Sequence, residues 1–100
     1  METGEGDMSA LRVAVVGCGY WGPKLARNLH EMDNVELHWL CDLVPENLAR
    51  VATLCPEARL TTNMDDVLQS DVDAVVLATP VSSHHALAMK ALRSGKHVLV

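Results

Sequence analysis

VAVVGCGYWGPKLARNL, residues 13–29, sets Gly17, Gly19 and Gly22 between an aliphatic run and an amphipathic segment. Glycine forgoes side-chain contacts and loses more backbone freedom on folding than any other residue, so the cluster implies a backbone requirement. The run before it, Leu11 to Val16, is apolar but for Arg12 and does not alternate, the pattern of a strand buried on both faces. After it, from about Trp21 to Glu31, Leu25, Leu29 and Met32 recur at helical spacing, with Lys24, Arg27, Asn28 and Glu31 on other faces. Pro23 belongs to the opening turn of that helix, where a missing N–H is harmless. The stretch reads as strand, tight turn, helix.

Outward from this unit the pattern repeats. Val35 to Cys41 predicts a second strand, and Pro45 opens a helix through Leu48, Val51, Ala52 and Leu54. A short strand at Arg59 to Thr61 and a brief helix from Met64 to Gln69, capped by Asn63, come next. Ala74 to Ala78 repeats the buried-strand pattern. A helix follows from about Ser83 to Ser94, with Leu87, Met89 and Leu92 toward the core and Gly95 at the stop, and a fifth strand begins at His97. Strands alternating with helices require crossover connections, hence a doubly wound α/β domain with a parallel sheet of about five strands.

Composition sets the outer limits. One hundred residues suffice for one small domain. The 49% hydrophobic fraction with no Phe predicts an aliphatic core, and a net charge of −5 without basic clusters argues against nucleic acid as a partner. Cys18, Cys41 and Cys55 show neither CxxC spacing nor an even count, which points to free thiols in a reducing cytoplasm rather than disulfides or zinc. No run approaches the roughly 18 apolar residues of a membrane span. METGEGDMSA, residues 1–10, reads as a disordered tail, leaving 11–100 as the domain.

In this setting the glycines form G-x-G-x-x-G at a strand-to-helix turn, a pattern that suits a dinucleotide. Gly17 permits the tight bend, Gly19 lets a diphosphate approach bare backbone and the positive end of the helix, and Gly22 lets the helix sit close to the sheet. Tyr20 and Trp21 contribute backbone N–H groups, and their side chains fit either helix-start packing or a ligand wall. Asp42 ends the second strand 25 residues after Gly17, where a carboxylate accepts hydrogen bonds from the adenosine ribose and repels a 2′-phosphate. With Leu43 and Val44 after it rather than an arginine, NAD is favoured over NADP. Two alternatives stand beside this reading: a packing turn without ligand, and Asp42 as a turn or helix-capping residue.

ATPVSSHHALAMKALRSGKHVLV, residues 78–100, together with GCGYWG at 17–22, resembles the N-terminal domain of the glucose-fructose oxidoreductase, inositol dehydrogenase and rhizopine-catabolism (Gfo/Idh/MocA) family. The resemblance covers residues 11–100 and implies a Rossmann domain that binds NAD(P) for hydride transfer to or from a sugar, sugar nucleotide or related polyol. It implies that Thr79 and Pro80 line the nicotinamide side and that His84 opens the next helix beside them. From the residues alone, His84 and His85 at a helix start fit solvated or capping positions better than ligand or base roles, and the resemblance reverses this for His84 only. GYWGPKLARNL is similar to sugar-nucleotide oxidising members. In that family a Glu-Lys-Pro segment follows the matching strand and carries a catalytic lysine, and a second α+β domain builds the substrate pocket.

Neither lies in these 100 residues, so the chain by itself is expected to bind cofactor without turnover. It is also expected to self-associate through the sheet edge near Val98 to Val100. Other readings are a regulatory, non-catalytic NAD-binding module and an S-adenosylmethionine methyltransferase; the latter fits the TPxxxH segment poorly.

Overall fold

A computed structural model describes residues 10–19 and 22–99. The candidate residues Tyr20 and Trp21, and the stretch 1–9 of the expected tail, lie outside the described residues. The elements are β1 (Leu11–Val16), α1 (Gly22–His30), β2 (Val35–Cys41), α2 (Pro45–Ala52), β3 (Arg59–Thr61), α3 (Met64–Leu68), β4 (Ala74–Leu77), α4 (Val81–Arg93) and β5 (His97–Leu99). The strands form one sheet in the order β3-β2-β1-β4-β5, with every pairing parallel. From β1 the chain winds outward through β2 and β3, returns, and winds the other way through β4 and β5. The reversal lies between β1 and β4, the place where open α/β sheets leave a crevice.

Side-chain alternation along the central strands sorts the core into two layers. Val13, Val15, Ala74 and Val76 face one side with Ala26 of α1 and Leu48 and Val51 of α2. Ala14, Val16, Val75 and Leu77 face the other with Met64 and Val67 of α3 and Ala91 of α4. Both central strands are therefore covered on both faces, which explains their continuous apolar runs.

β2 breaks the alternation. Val13 pairs with Leu37 but Ala14 pairs with Trp39, so His38 is an extra residue in the ladder. This bulge turns Leu37 and Leu40 to the same face despite their odd spacing. Several boundaries also differ from expectation: α1 ends at His30, β4 at Leu77 and α4 at Arg93, each one residue early. α4 starts at Val81 rather than Ser83, because Pro80, with φ −56° and ψ 148°, ends the extended segment and its carbonyl accepts the Ser83 N–H at 2.9 Å. α2 ends at Ala52 and α3 at Leu68. Leu92, expected in the core, is 55% exposed, since α4 packs through Leu87, Ala88 and Ala91.

Asn63 caps α3 as expected, its side chain accepting the Asp65 N–H at 2.9 Å. Gly95 closes α4 with φ +82°; its N–H reaches the Leu92 carbonyl and that of Lys96 reaches Ala91, a Schellman arrangement. At the end of the sheet away from the crevice, Arg12 grips both oxygens of Asp73 at 3.0 and 3.2 Å and reaches Asp71 at 3.0 Å. These hydrogen bonds hold the Asp73 carboxyl below its usual range.

Candidate cofactor site

At the carboxyl ends of β1, β2 and β4 lies a cleft of about 1040 Å³. Gly17, Gly19, Asp42, Thr79, Pro80 and His84 all line it, so residues expected from three separate segments converge. Parallel strands make this unavoidable, because every strand end of one polarity opens on the same edge.

The glycine positions behave differently from one another. Gly17 has φ +98°, and a Cβ there would stand 2.8 Å from the backbone of Ala78 and Thr79, so this bend admits no side chain. A Cβ on Gly22 would meet the Gly17 carbonyl oxygen at 2.8 Å and Cys18 at 3.3 Å. Its bareness therefore closes α1 onto the turn itself, rather than onto the sheet as expected from sequence. At Gly19 the same Cβ would meet, among the described residues, only Asn47 Nδ2, at 3.9 Å. No contact among the described residues requires glycine there, and Gly19 lines the cleft. α1 begins directly beyond this opening, and the first N–H groups of a helix have no intrahelical partner and carry its positive end.

Asp42 is tied to the turn. Its Oδ2 accepts the Cys18 N–H at 2.6 Å and Asn47 Nδ2 at 3.2 Å, and its Oδ1 accepts the Val44 N–H at 2.8 Å. The expected turn-capping role and a ligand-facing role are thus compatible, since a carboxylate offers about four acceptor sites. On the far wall His84 Nε2 donates to the Thr79 carbonyl at 2.6 Å, which in the neutral ring leaves Nδ1 as an acceptor. Thr79 Oγ1 is buried without a hydrogen-bond partner among the described residues.

Cys18 and Cys41 lie under the turn, 0% and 4% exposed. Burial, reinforced by the Asp42 carboxylate, pushes the Cys18 thiol up to about 12 and Cys41 up to about 11. They are packing groups, not nucleophiles. Among the described residues no cluster of His, Cys, Asp or Glu could hold a metal ion, and no helix is long and apolar enough to cross a membrane. Asn47, Ser83, Leu43 and Val44 also line the cleft and were given no ligand role from sequence. For Asn47 a signal existed, because the first turn of a helix following an acidic strand end must return past that carboxylate.

Residues 11–100 match the GFO_IDH_MocA profile, an oxidoreductase family with an NAD-binding Rossmann fold. The chain belongs to this family. Its relatives include the UDP-N-acetylglucosamine 3-dehydrogenase of Acidithiobacillus ferrooxidans, 32% identical over 93% of this chain and 28% of that protein. Among solved structures, GenD2 from gentamicin A biosynthesis in complex with NAD superposes with a TM-score of 0.84 at 36% identity, over 90% of this chain and 26% of that one. The WlbA dehydrogenase of Bordetella pertussis in complex with NADH and UDP-GlcNAcA gives 0.78 at 35%, over 89% and 28%. The chain thus spans about a quarter of the length of the Gfo/Idh/MocA proteins it matches. The five-stranded parallel sheet is the Rossmann domain of this family.

Proposed function

We propose that residues 11–100 hold NAD, in preference to NADP, for an oxidoreductase acting on an alcohol carbon of a sugar, sugar nucleotide or related polyol. The observation that carries this is the bare backbone at Gly19, a glycine that no contact among the described residues requires, on a cleft it shares with Asp42, Thr79, Pro80 and His84. The residues fit the cofactor: the turn and α1 offer N–H groups and positive potential to a diphosphate, and Asp42 keeps acceptor capacity for a ribose hydroxyl. The same carboxylate would repel a 2′-phosphate, and neither Leu43 nor Val44 offsets that charge.

When bound, the nicotinamide ring accepts or returns hydride. The chain's own contribution is positional. Gly17 and Gly22 lock the turn, Asp42 fixes the Cys18 N–H, and the His84–Thr79 contact shapes the wall where the ring would lie. Tyr20 and Trp21 belong to the same turn by sequence, and we assign their N–H groups to the phosphates. No lysine lines the cleft among the described residues, so we place the proton-transferring lysine, and the substrate domain, outside them. Three buried free thiols support a reducing, cytoplasmic setting.

Calorimetric titration with NADH, NADPH and S-adenosylmethionine tests the reading. NADH binding tightest supports it; tighter binding of S-adenosylmethionine, or no dinucleotide binding, overturns it.

A further inference from the structure

Asn47 and Arg50, two polar residues of α2, complete a chain of hydrogen bonds that ends on the glycine turn. Arg50 Nη2 donates to Asn47 Oδ1 at 2.6 Å, Asn47 Nδ2 donates to Asp42 Oδ2 at 3.2 Å, and that oxygen also accepts the Cys18 N–H at 2.6 Å. The polarity of the chain is fixed by chemistry. A guanidinium only donates and an ionised carboxylate only accepts, so the amide between them has one orientation. With Cys18, Asn47 and Val44 served, Asp42 keeps one acceptor site, on Oδ1. Asn47 Nδ2 keeps a second N–H with no bond among the described residues, and its nitrogen is the atom nearest the open side of Gly19. The amide therefore touches both the carboxylate and the open side of Gly19.

We propose that Asn47 is a positioning and specificity residue for the adenosine half of the dinucleotide, and that Arg50 is the latch that orients its amide. This rests on the dinucleotide reading above. Asn47 holds the Asp42 carboxylate against Cys18 so that Oδ1 faces the ribose, and offers its spare N–H to a sugar hydroxyl or phosphate oxygen in the cleft. Preference for NAD then depends on the whole chain of bonds and not on the charge of Asp42 alone.

The test is calorimetric titration of NADH and NADPH into the wild-type chain and its Asn47→Ala and Arg50→Ala variants, with a melting curve for each. Losing a hydrogen bond to a charged group predicts that Asn47→Ala weakens NADH by about tenfold and NADPH by less than about threefold. Arg50→Ala shifts the preference in the same direction by about two- to threefold, and the double variant is no worse than Asn47→Ala, because Arg50 acts through Asn47. Equal weakening of both dinucleotides, which a loosened α2 would give, overturns the inference, as does an unchanged NADH affinity. Should Asn47→Ala fail to fold, Arg50→Ala at its exposed position decides the matter, an unchanged preference counting against the proposal. A wild-type chain that ignores NADH removes the dinucleotide reading and this inference together, whereas wild-type binding with unaffected variants removes this inference alone.

Discussion

Replacing Gly19 by alanine separates ligand binding from folding, and the structure supplies the magnitude of each. Among the described residues the added methyl would meet only Asn47 Nδ2 at 3.9 Å, an ordinary contact, and Gly19 has no positive φ. Stability should therefore stay within about 0.5 kcal/mol of wild type. The methyl does stand where a diphosphate would approach, and losing one charge-assisted bond there is worth about 1.5–3 kcal/mol, a weakening of roughly 10- to 150-fold. Gly17→Ala is the control with the opposite profile. Its methyl would sit 2.8 Å from the Ala78 and Thr79 backbone at φ +98°, where neither atom can yield. Strain of about 1–3 kcal/mol and overpacking of about 1–3 kcal/mol together remove much of the ~5–15 kcal/mol typical of a domain. Thermal unfolding and calorimetry with NADH read both variants. Gly19→Ala binding NADH within twofold of wild type, or melting as low as Gly17→Ala, would refute the assignment of the opening to a phosphate.

Asp42→Ala removes the charge that opposes a 2′-phosphate, so competitive titration should show NADH weakened and NADPH unchanged or improved; a parallel loss of both would assign Asp42 to the turn alone. The buried thiols make the fold sensitive to alkali. Cys18 and Cys41 ordinarily ionise near 9.0 and are held protonated to about 12 and 11, so the unfolded state loses these protons first and stability falls as pH rises above 9. Each thiol should cost about twofold in the folding equilibrium from pH 8 to 9 and about fivefold from pH 9 to 10, which urea titrations at those three values would measure, and a flat profile would contradict. Leu99 of the edge strand β5 is 54% exposed, and sedimentation should show self-association that Leu99→Lys reduces; a monomer at all concentrations would count against it.

Much of the architecture could be read from sequence because the strongest signals are local. Continuous apolar runs at Val13–Val16 and Ala74–Leu77 meant burial on both faces, and the glycine spacing placed the first turn. Other features depend on partners distant in the chain. The bulge at His38 arises from how β2 pairs with β1, so the spacing of Leu37, Trp39 and Leu40 misleads about their faces. The Gly22 contact is with the turn it belongs to, which helix-to-sheet reasoning overlooks. Leu92 has the hydrophobicity of a core residue, but α4 presents Ala88 and Ala91 to the sheet, and small residues give the closer approach. Asp42 could be placed by spacing alone, whereas the bond from Cys18 and the Asn47–Arg50 chain behind it required coordinates.

The most direct measurement is a nitrogen-15 amide spectrum of the chain titrated with NADH. The account predicts the largest shifts at Gly17, Cys18, Gly19 and Gly22, with smaller ones at Val44 and Thr79, since the diphosphate sits on bare backbone at the head of α1. Shifts gathered instead at Arg12, Asp73 and His97, on the opposite end of the sheet, with the glycine turn unmoved, would contradict it.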